Sequence, residues 1–332
     1  MSSGLSTNAI VFEQPGKLVI RSLALTAPDS GDLVVDIEAS GISTGTEKLL
    51  WTGNMPSFPG LSYPLVPGYE AVGVVREAGQ DCSLEPGDRV FVPGANCYEG
   101  DVRGLFGASA STLVVPEERV MPVGNLATDQ ATLLALAATA MHILTYRLRQ
   151  DQPGQNLNLS QIVAYVPQLI VGHGVLGRLI ARISLALGAE APQVWELDEQ
   201  RRHGATGYDV IAPEDDAGKP KRHIVDVSGA CGDHFNKLIA GLAKGGRLTL
   251  GGFYSEPVNF DFAPAFMREA TLGIAAEWAR DDLSLVLALV HSGALSLDGL
   301  VSHQYSFDEA EAAYPQAFND PACLKLILKW SA

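Results

Sequence analysis

Cysteine is scarce in this chain of 332 residues. Cys82, Cys97, Cys231 and Cys323 lie far apart, in none of the spacings of a metal site or a disulfide framework. That excludes a small disulfide-stapled fold and fits a reducing cytoplasm. Basic residues are also few: 23 Lys and Arg stand against 38 Asp and Glu, a net charge of −15. Such a chain is badly suited to a nucleic-acid backbone or an anionic membrane surface, although one local basic patch can still hold a small carboxylate. Long hydrophobic runs are missing too. The longest, Ala131 to Tyr146, is broken by Thr139 and His142. It is too short for a membrane span and reads as a buried helix. No basic segment followed by an apolar one opens the chain, so no secretory signal is expected. Repeats and low-complexity tracts are absent. What is plentiful is glycine, 34 residues, and apolar side chains, 47% of the chain. That is enough for two domains with sizeable cores and too much for bulk disorder.

Three of those glycines organise the chain. Leu169-Ile170-Val171 runs straight into Gly172-His173-Gly174-Val175-Leu176-Gly177, and a helical pattern follows through Leu179, Ile180, Ile183 and Leu187 to a stop at Gly188. A Gly-x-Gly-x-x-Gly turn between a strand and a helix suits a dinucleotide. Gly172 turns the chain sharply, Gly174 lets a pyrophosphate approach the backbone, and Gly177 lets the helix lie close to the sheet. The N–H groups of Val175 and Leu176 open that helix, where backbone donors and the dipole favour a phosphate. A second strand, Gln193-Val194-Trp195, ends at Glu196, where an acidic side chain would accept from ribose hydroxyls. A carboxylate there repels a 2′-phosphate and favours NAD over NADP. Arg201 and Arg202, within reach of ribose or phosphate, weaken that preference.

Around this turn the chain falls into two patterns. Residues 1–130 read as mostly β, with short runs at Val19-Ile20, 33–37, 71–75, 91–92 and 112–116 separated by turns such as Glu85-Pro86-Gly87-Asp88; the spacing suggests a Greek-key or barrel-like domain. A helix from about Thr128 to Arg147 leads onward. From about 160 to 285, strands alternate with helices, the strands expected at 168–171, 193–196, 223–228, 246–251 and 270–276. A helix, Phe307 to Phe318, and a strand, Cys323 to Trp330, return to the first domain. The expected division is 1–145 with 290–332, β-rich, and 146–289, the dinucleotide-binding domain.

In this order of parts, with Gly68-Tyr69-Glu70 before a strand, Pro86-Gly87-Asp88-Arg89-Val90, and Thr139-Ala140 in an apolar helix, the chain resembles the medium-chain dehydrogenase/reductase superfamily. The resemblance implies α/β architecture, a GroES-like domain joined to a doubly wound Rossmann domain, nicotinamide chemistry, Thr139 beside the nicotinamide amide, and a homodimer joined through the nucleotide sheet. Zinc-dependent members carry Cys, His and a third ligand where this chain has Ser43, Tyr69 and Ala135. The four-cysteine structural zinc loop is missing as well. Glu70 alone cannot hold zinc, which takes about four N, S or O ligands, so a metal-free member is expected. Ser43-Thr44-Gly45-Thr46-Glu47, Val92 to Cys97, Gly104 to Gly107 and Val194-Trp195-Glu196 are similar to a bacteriochlorophyll-forming branch. Its implied reaction is NAD-linked oxidation of a 3-(1-hydroxyethyl) group on a chlorin to acetyl.

Without zinc, side chains must handle the hydroxyl proton. By family position Ser43 and Tyr69 line the vacated space. Tyr69 could hydrogen-bond the substrate oxygen, Lys48 could carry a proton outward or lower the Tyr69 pKa, and Thr46 and Glu47 could join a relay. Glu70 reads as structural, paired with an arginine, and His142 as a packing histidine. His173 should pack near the phosphates without chemistry, and Cys97 should be a small buried apolar residue. Trp51, Met55, Phe58, Leu61 and Tyr63, with Phe253, Tyr254 and Trp278, could wall a broad apolar cleft for a chlorin. A zinc-free NADPH-linked quinone or enoyl reductase and a non-catalytic dinucleotide carrier remain open.

Overall fold

The structure is a computed structural model describing residues 4–57, 59–155, 157–254 and 256–330. Two compact units emerge, 1–135 with 298–332 and 136–297. The expected boundaries, at 145/146 and 289/290, both fall inside helices.

The first unit begins with a hairpin, β1 (Ser6–Gln14) and β2 (Lys17–Ala24), and continues into β3 (Asp32–Ile42), the short helix α1 (Thr46–Thr52), β4 (Ala71–Ala78), β5 (Arg89–Val92), β6 (Thr112–Pro116), β7 (Met121–Pro122) and α2 (Thr128–Ala131). β3 is the hub: Leu33, Val34, Val35 and Ile37 are buried, and it pairs antiparallel with both β4 and β6. Arg89 explains the Pro-Gly-Asp-Arg-Val turn. Gly87 takes φ +101° and Asp88 accepts the Glu85 N–H at 2.9 Å. The Arg89 fork then reaches both Glu38 oxygens at 3.3 and 2.9 Å, and the Gly124 and Leu126 carbonyls. The guanidinium holds the Glu38 carboxyl below its usual range.

The second unit takes most of α3 (Leu134–Asp151), then α4 (Leu159–Ile162), β8 (Leu169–Val171), α5 (Val175–Ala186), β9 (Gln193–Trp195), β10 (Val210–Ile211), β11 (Lys221–Asp226), α6 (His234–Ala240), β12 (Leu242–Leu250), α7 (Phe262–Met267), β13 (Thr271–Ile274) and α8 (Arg280–His291). Its six strands run β10-β9-β8-β11-β12-β13, all parallel. In chain order that is 3-2-1-4-5-6, a doubly wound sheet that reverses direction beside β8. α3 belongs here from Leu136 because Tyr146 bonds Thr249 of β12 at 3.1 Å and Ile143 packs where any side chain at Gly251 would stand.

The tail, β14 (His303–Ser306), α9 (Ala310–Asn319) and β15 (Leu326–Lys329), completes the first unit. β15 pairs antiparallel with the end of β3, Leu326 opposite Ile42. The expected helix from Thr128 to Arg147 is instead two, α2 and α3, and the stretch after Ser43 contains α1.

Arg89→Lys should destabilise the protein by about 2 kcal/mol, because an ammonium cannot reproduce the forked contacts to Glu38 and two carbonyls. Urea unfolding of both forms measures it.

Candidate active site

In the first unit, the end of β3 and the loop before β4 bring three sequence-selected residues together. The Tyr69 hydroxyl donates to Ser43 Oγ at 2.6 Å and lies 3.4 Å from Thr46 Oγ1. Ser43 is buried, and the ring of Phe106 stands edge-on to Tyr69 with centroids 5.4 Å apart. Burial and the neighbouring Glu70 push the Tyr69 phenol well above its ordinary range, so its side chain is a donor and not a phenolate base.

Behind them lies a cluster of buried charge. Glu70 and Lys325, 0% and 1% exposed, form an ion pair; the expected arginine partner is a lysine from the tail. A side chain at Gly41 would overlap both. Glu47, wholly buried, accepts the Ser43 N–H at 3.0 Å and the Tyr314 hydroxyl at 3.1 Å. Desolvation raises its carboxyl to about 8. Neither Lys325 nor Tyr314 was selected from the sequence, and Glu47 was raised there only as a relay member. A lysine inside the apolar run Leu324-Lys325-Leu326-Ile327-Leu328 was the available signal, since a buried ammonium demands a partner.

Lys48 does not join this cluster: its ammonium donates to the Phe318 carbonyl at 2.7 Å. The expectation that it lowers the Tyr69 pKa is therefore corrected. The aromatic wall also changes. Trp51 packs against Phe12 and Tyr314, with centroids 5.5 and 6.4 Å away; Met55 is buried; and Leu61 and Tyr63 lean on the same core. Phe58 lies outside the described residues. Cys97 is buried, and burial raises its thiol to about 11, which keeps it inert.

The donor set does not suit zinc. Ser43 and Tyr69 bond each other, Glu70 is taken by Lys325, and Ala135 offers no ligand atom. Among the described residues no three His, Cys, Asp or Glu side chains gather around a common point.

In the second unit the glycine turn has a different job at each glycine. Gly172 sits at φ +103°, a region only glycine enters freely. A side chain at Gly177 would overlap the Gly172 carbonyl, whereas one at Gly174 would meet only open space. The site is thus tight behind and clear in front, above the first turn of α5, where Val175 and Leu176 stand and helix N–H groups lack internal partners. Glu196 accepts the His173 N–H at 2.9 Å and the Asp198 N–H at 3.0 Å, fixing its carboxylate at the end of β9. Arg178, buried, donates to the carbonyls of His173, Arg201 and His203 at 3.0, 3.0 and 2.8 Å. His173 is also fully buried. The Arg201 carbonyl, 2.6 Å from Nδ1, can only accept, so Nδ1 carries the proton and Nε2 accepts from Tyr208 at 2.8 Å. Arg202 is committed to the Glu196 and Leu197 carbonyls. Thr139 lies in α3. One turn on, His142 pairs with buried Asp282 at 2.8 Å; Asp282 also accepts from Thr145, Arg149 and the Ala279 N–H. Of the distal aromatics, Tyr254 donates to the Asp226 carbonyl at 3.1 Å and Phe253 is half exposed.

Known proteins share this fold. Residues 29–125 match the alcohol dehydrogenase GroES-like domain. The 2-desacetyl-2-hydroxyethyl bacteriochlorophyllide A dehydrogenase of Rhodobacter capsulatus is 49% identical over 98% of this chain and 99% of its own. A structure described as a short chain alcohol dehydrogenase of Escherichia coli with NADH aligns at TM-score 0.79 and 20% identity, covering 98% of this chain and 100% of that one. A zinc-binding dehydrogenase of Sinorhizobium meliloti with NADP aligns at TM-score 0.75 and 21% identity over 98% and 99%. The chain belongs to the medium-chain dehydrogenase/reductase superfamily, in the branch that holds the bacteriochlorophyllide dehydrogenases.

Burial lowers the His173 imidazole to about 4, and His223, buried between Tyr165 and Thr249, to about 3. The unfolded chain binds protons that these folded imidazoles refuse. Stability is therefore full above about pH 6.5 and falls as the pH drops towards 4, by about 1.4 kcal/mol per pH unit for each histidine. Denaturant titrations across that window should show the fall, and His173→Gln and His223→Gln should each reduce its slope.

Proposed function

We propose that the chain is an NAD-dependent secondary-alcohol dehydrogenase that oxidises the 3-(1-hydroxyethyl) group of a bacteriochlorophyllide to 3-acetyl, without zinc. The observation that carries this reading is the part-buried Tyr69–Ser43 hydroxyl pair at 2.6 Å, two residues at the positions where the family resemblance implies zinc ligands in metal-dependent members. The 49% identity to the Rhodobacter capsulatus enzyme supports the substrate. The fixed Glu196 carboxylate supports NAD, because it would lie against a 2′-phosphate.

In the reaction the carbinol C–H bond breaks with its electron pair, the O–H bond loses a proton, and a ketone forms. Bound NAD would supply the hydride acceptor, and one proton is released. Tyr69 spends its hydrogen on Ser43 Oγ, which leaves the Ser43 hydroxyl hydrogen for a substrate oxygen. Ser43 is thus the contact residue and Tyr69 holds it, with Thr46 Oγ1 as the second acceptor. On the nucleotide side, Gly172, Gly174, Val175, Leu176 and Gly177 would cradle the pyrophosphate, Glu196 the ribose, Arg201 the ribose or phosphate, and Thr139 the nicotinamide amide. The four free cysteines, Cys82, Cys97, Cys231 and Cys323, favour a reducing cytoplasm. No helix among the described residues is long and apolar enough to cross a membrane.

The reading extends to a homodimer. β13 is an edge strand, and Phe262, Phe266, Met267 and Ile274 nearby are 74%, 65%, 71% and 75% exposed. An apolar sheet edge of this kind calls for cover. Sedimentation should give a dimer that Phe266→Asp with Ile274→Asp converts to monomer; a monomeric wild type would overturn the assembly.

Incubation with NAD and 3-(1-hydroxyethyl) bacteriochlorophyllide should yield NADH absorbance together with a shifted chlorin band. Ser43→Ala and Tyr69→Phe should each lower kcat about 10²-fold. Absence of both signals would favour a dinucleotide carrier, and faster turnover with the NADP pair would favour the reductase alternative.

A further inference from the structure

The buried carboxyl of Glu47 has no function in the reaction as written. Its placement gives it one. Glu47 follows Ser43 by four residues at the start of α1, and the two are bonded in both directions. The Glu47 N–H donates to the Ser43 carbonyl at 3.1 Å, and the Ser43 N–H donates to Glu47 Oε1 at 3.0 Å. Gly45 lies in the loop they close. The other carboxyl oxygen accepts from Tyr314 of α9 at 3.1 Å. The position of the Ser43 hydroxyl under Tyr69 therefore depends on a side chain that itself touches no substrate.

We propose that Glu47 is a positioning residue of the dehydrogenase: as a neutral acid it fixes Ser43 beneath the Tyr69 hydroxyl, and its anion opposes the negative charge that develops on the alcohol oxygen. The inference rests on the dehydrogenase reading. The groups facing Glu47 are Tyr69 and Glu70 from the segment before β4, Lys325 before β15, and Tyr314 from α9. Lys325 is the one cation among them and is already paired with Glu70. An ionised Glu47 would leave the cluster with one uncompensated negative charge in a dry interior, a costly state. Burial accordingly holds the proton on Glu47 up to about pH 8. Glu47 also acts electrostatically on the Tyr69 hydroxyl, its charge disfavouring a phenolate there. The same field would act on an alkoxide held by Ser43. Oxidation needs partial negative charge on that oxygen, so rate and Glu47 ionisation oppose each other.

The test is the pH dependence of kcat with saturating NAD and the hydroxyethyl chlorin, from about pH 6 to about pH 10, for wild type, Glu47→Gln and Glu47→Ala. The wild-type kcat should fall above about pH 8, approaching tenfold per pH unit. Glu47→Gln keeps an oxygen for the Ser43 N–H and cannot ionise; its kcat at neutral pH should fall less than that of Glu47→Ala, and the alkaline decline should vanish. Glu47→Ala, released from the clamp, should lose about 10²-fold in kcat at every pH with KM little changed. Infrared difference spectra should show a carboxylic-acid band that titrates near pH 8 and is missing from Glu47→Gln. An alkaline decline that persists in Glu47→Gln, or absence of that band, overturns the inference while leaving the dehydrogenase reading intact. A wild type that makes no NADH from the chlorin overturns the dehydrogenase reading and the proposed catalytic consequence together, and the band then still decides whether Glu47 is neutral.

Discussion

The ion pair between Glu70 and Lys325 is the constraint on which the first unit depends. Both groups are removed from water, and each makes the other tolerable there. Removing either partner from such a pair leaves an unmatched buried charge, at about 3–5 kcal/mol. The pair also explains three neighbours. Gly41 must be glycine because the pair fills the space a side chain would take. The tail must return to β3, since Lys325 arrives on the approach to β15. Tyr69, one residue before Glu70, is held at the mouth of the same cluster, where desolvation and the Glu70 charge keep the phenol protonated.

Parts of this architecture were legible in the sequence and others were not, for physical reasons. The glycine turn was, because Gly172, Gly174 and Gly177 fall at a fixed spacing within six residues, directly after the apolar run Leu169-Ile170-Val171 of β8. The boundaries between units were less so. α3 and α8 are continuous helices whose allegiance is decided by contacts such as Tyr146–Thr249, and these involve residues about a hundred positions apart. α1 was hidden because glycines stand at both its ends, Gly45 and Gly53, and a Pro- and Gly-rich stretch follows it. Trp51 was assigned to a cleft wall on the same misreading; once in a helix, its ring turns inward to Phe12 and Tyr314. The hydroxyl pair could be selected from family position. The carboxyl behind it could not be weighed, since its Tyr314 partner comes from 267 residues further along the chain.

On the proposed reading, exchanging a metal for hydroxyls would alter what the surrounding protein must do. A metal ion carries its own charge and tolerates some looseness in its ligands. Two hydroxyl groups offer only direction, so their usefulness depends on how firmly the backbone beneath them is held. The reciprocal bonds between Ser43 and Glu47, the Phe106 ring against Tyr69 and the filled space at Gly41 all serve that end. Lys48 is drawn off to Phe318 and contributes to α1–α9 packing instead.

Arg178 has a consequence of a different kind. Its guanidinium ties the carbonyls of His173, Arg201 and His203 together from behind the glycine turn, and Glu196 ties the His173 amide from the other side. If the turn holds a nucleotide as proposed, the loop would thereby be shaped before it arrives, so docking need not spend binding energy on freezing it. Such a receptor should take up and release its coenzyme with the turn unchanged, leaving any slow rearrangement in the catalytic cycle to be sought elsewhere in the molecule.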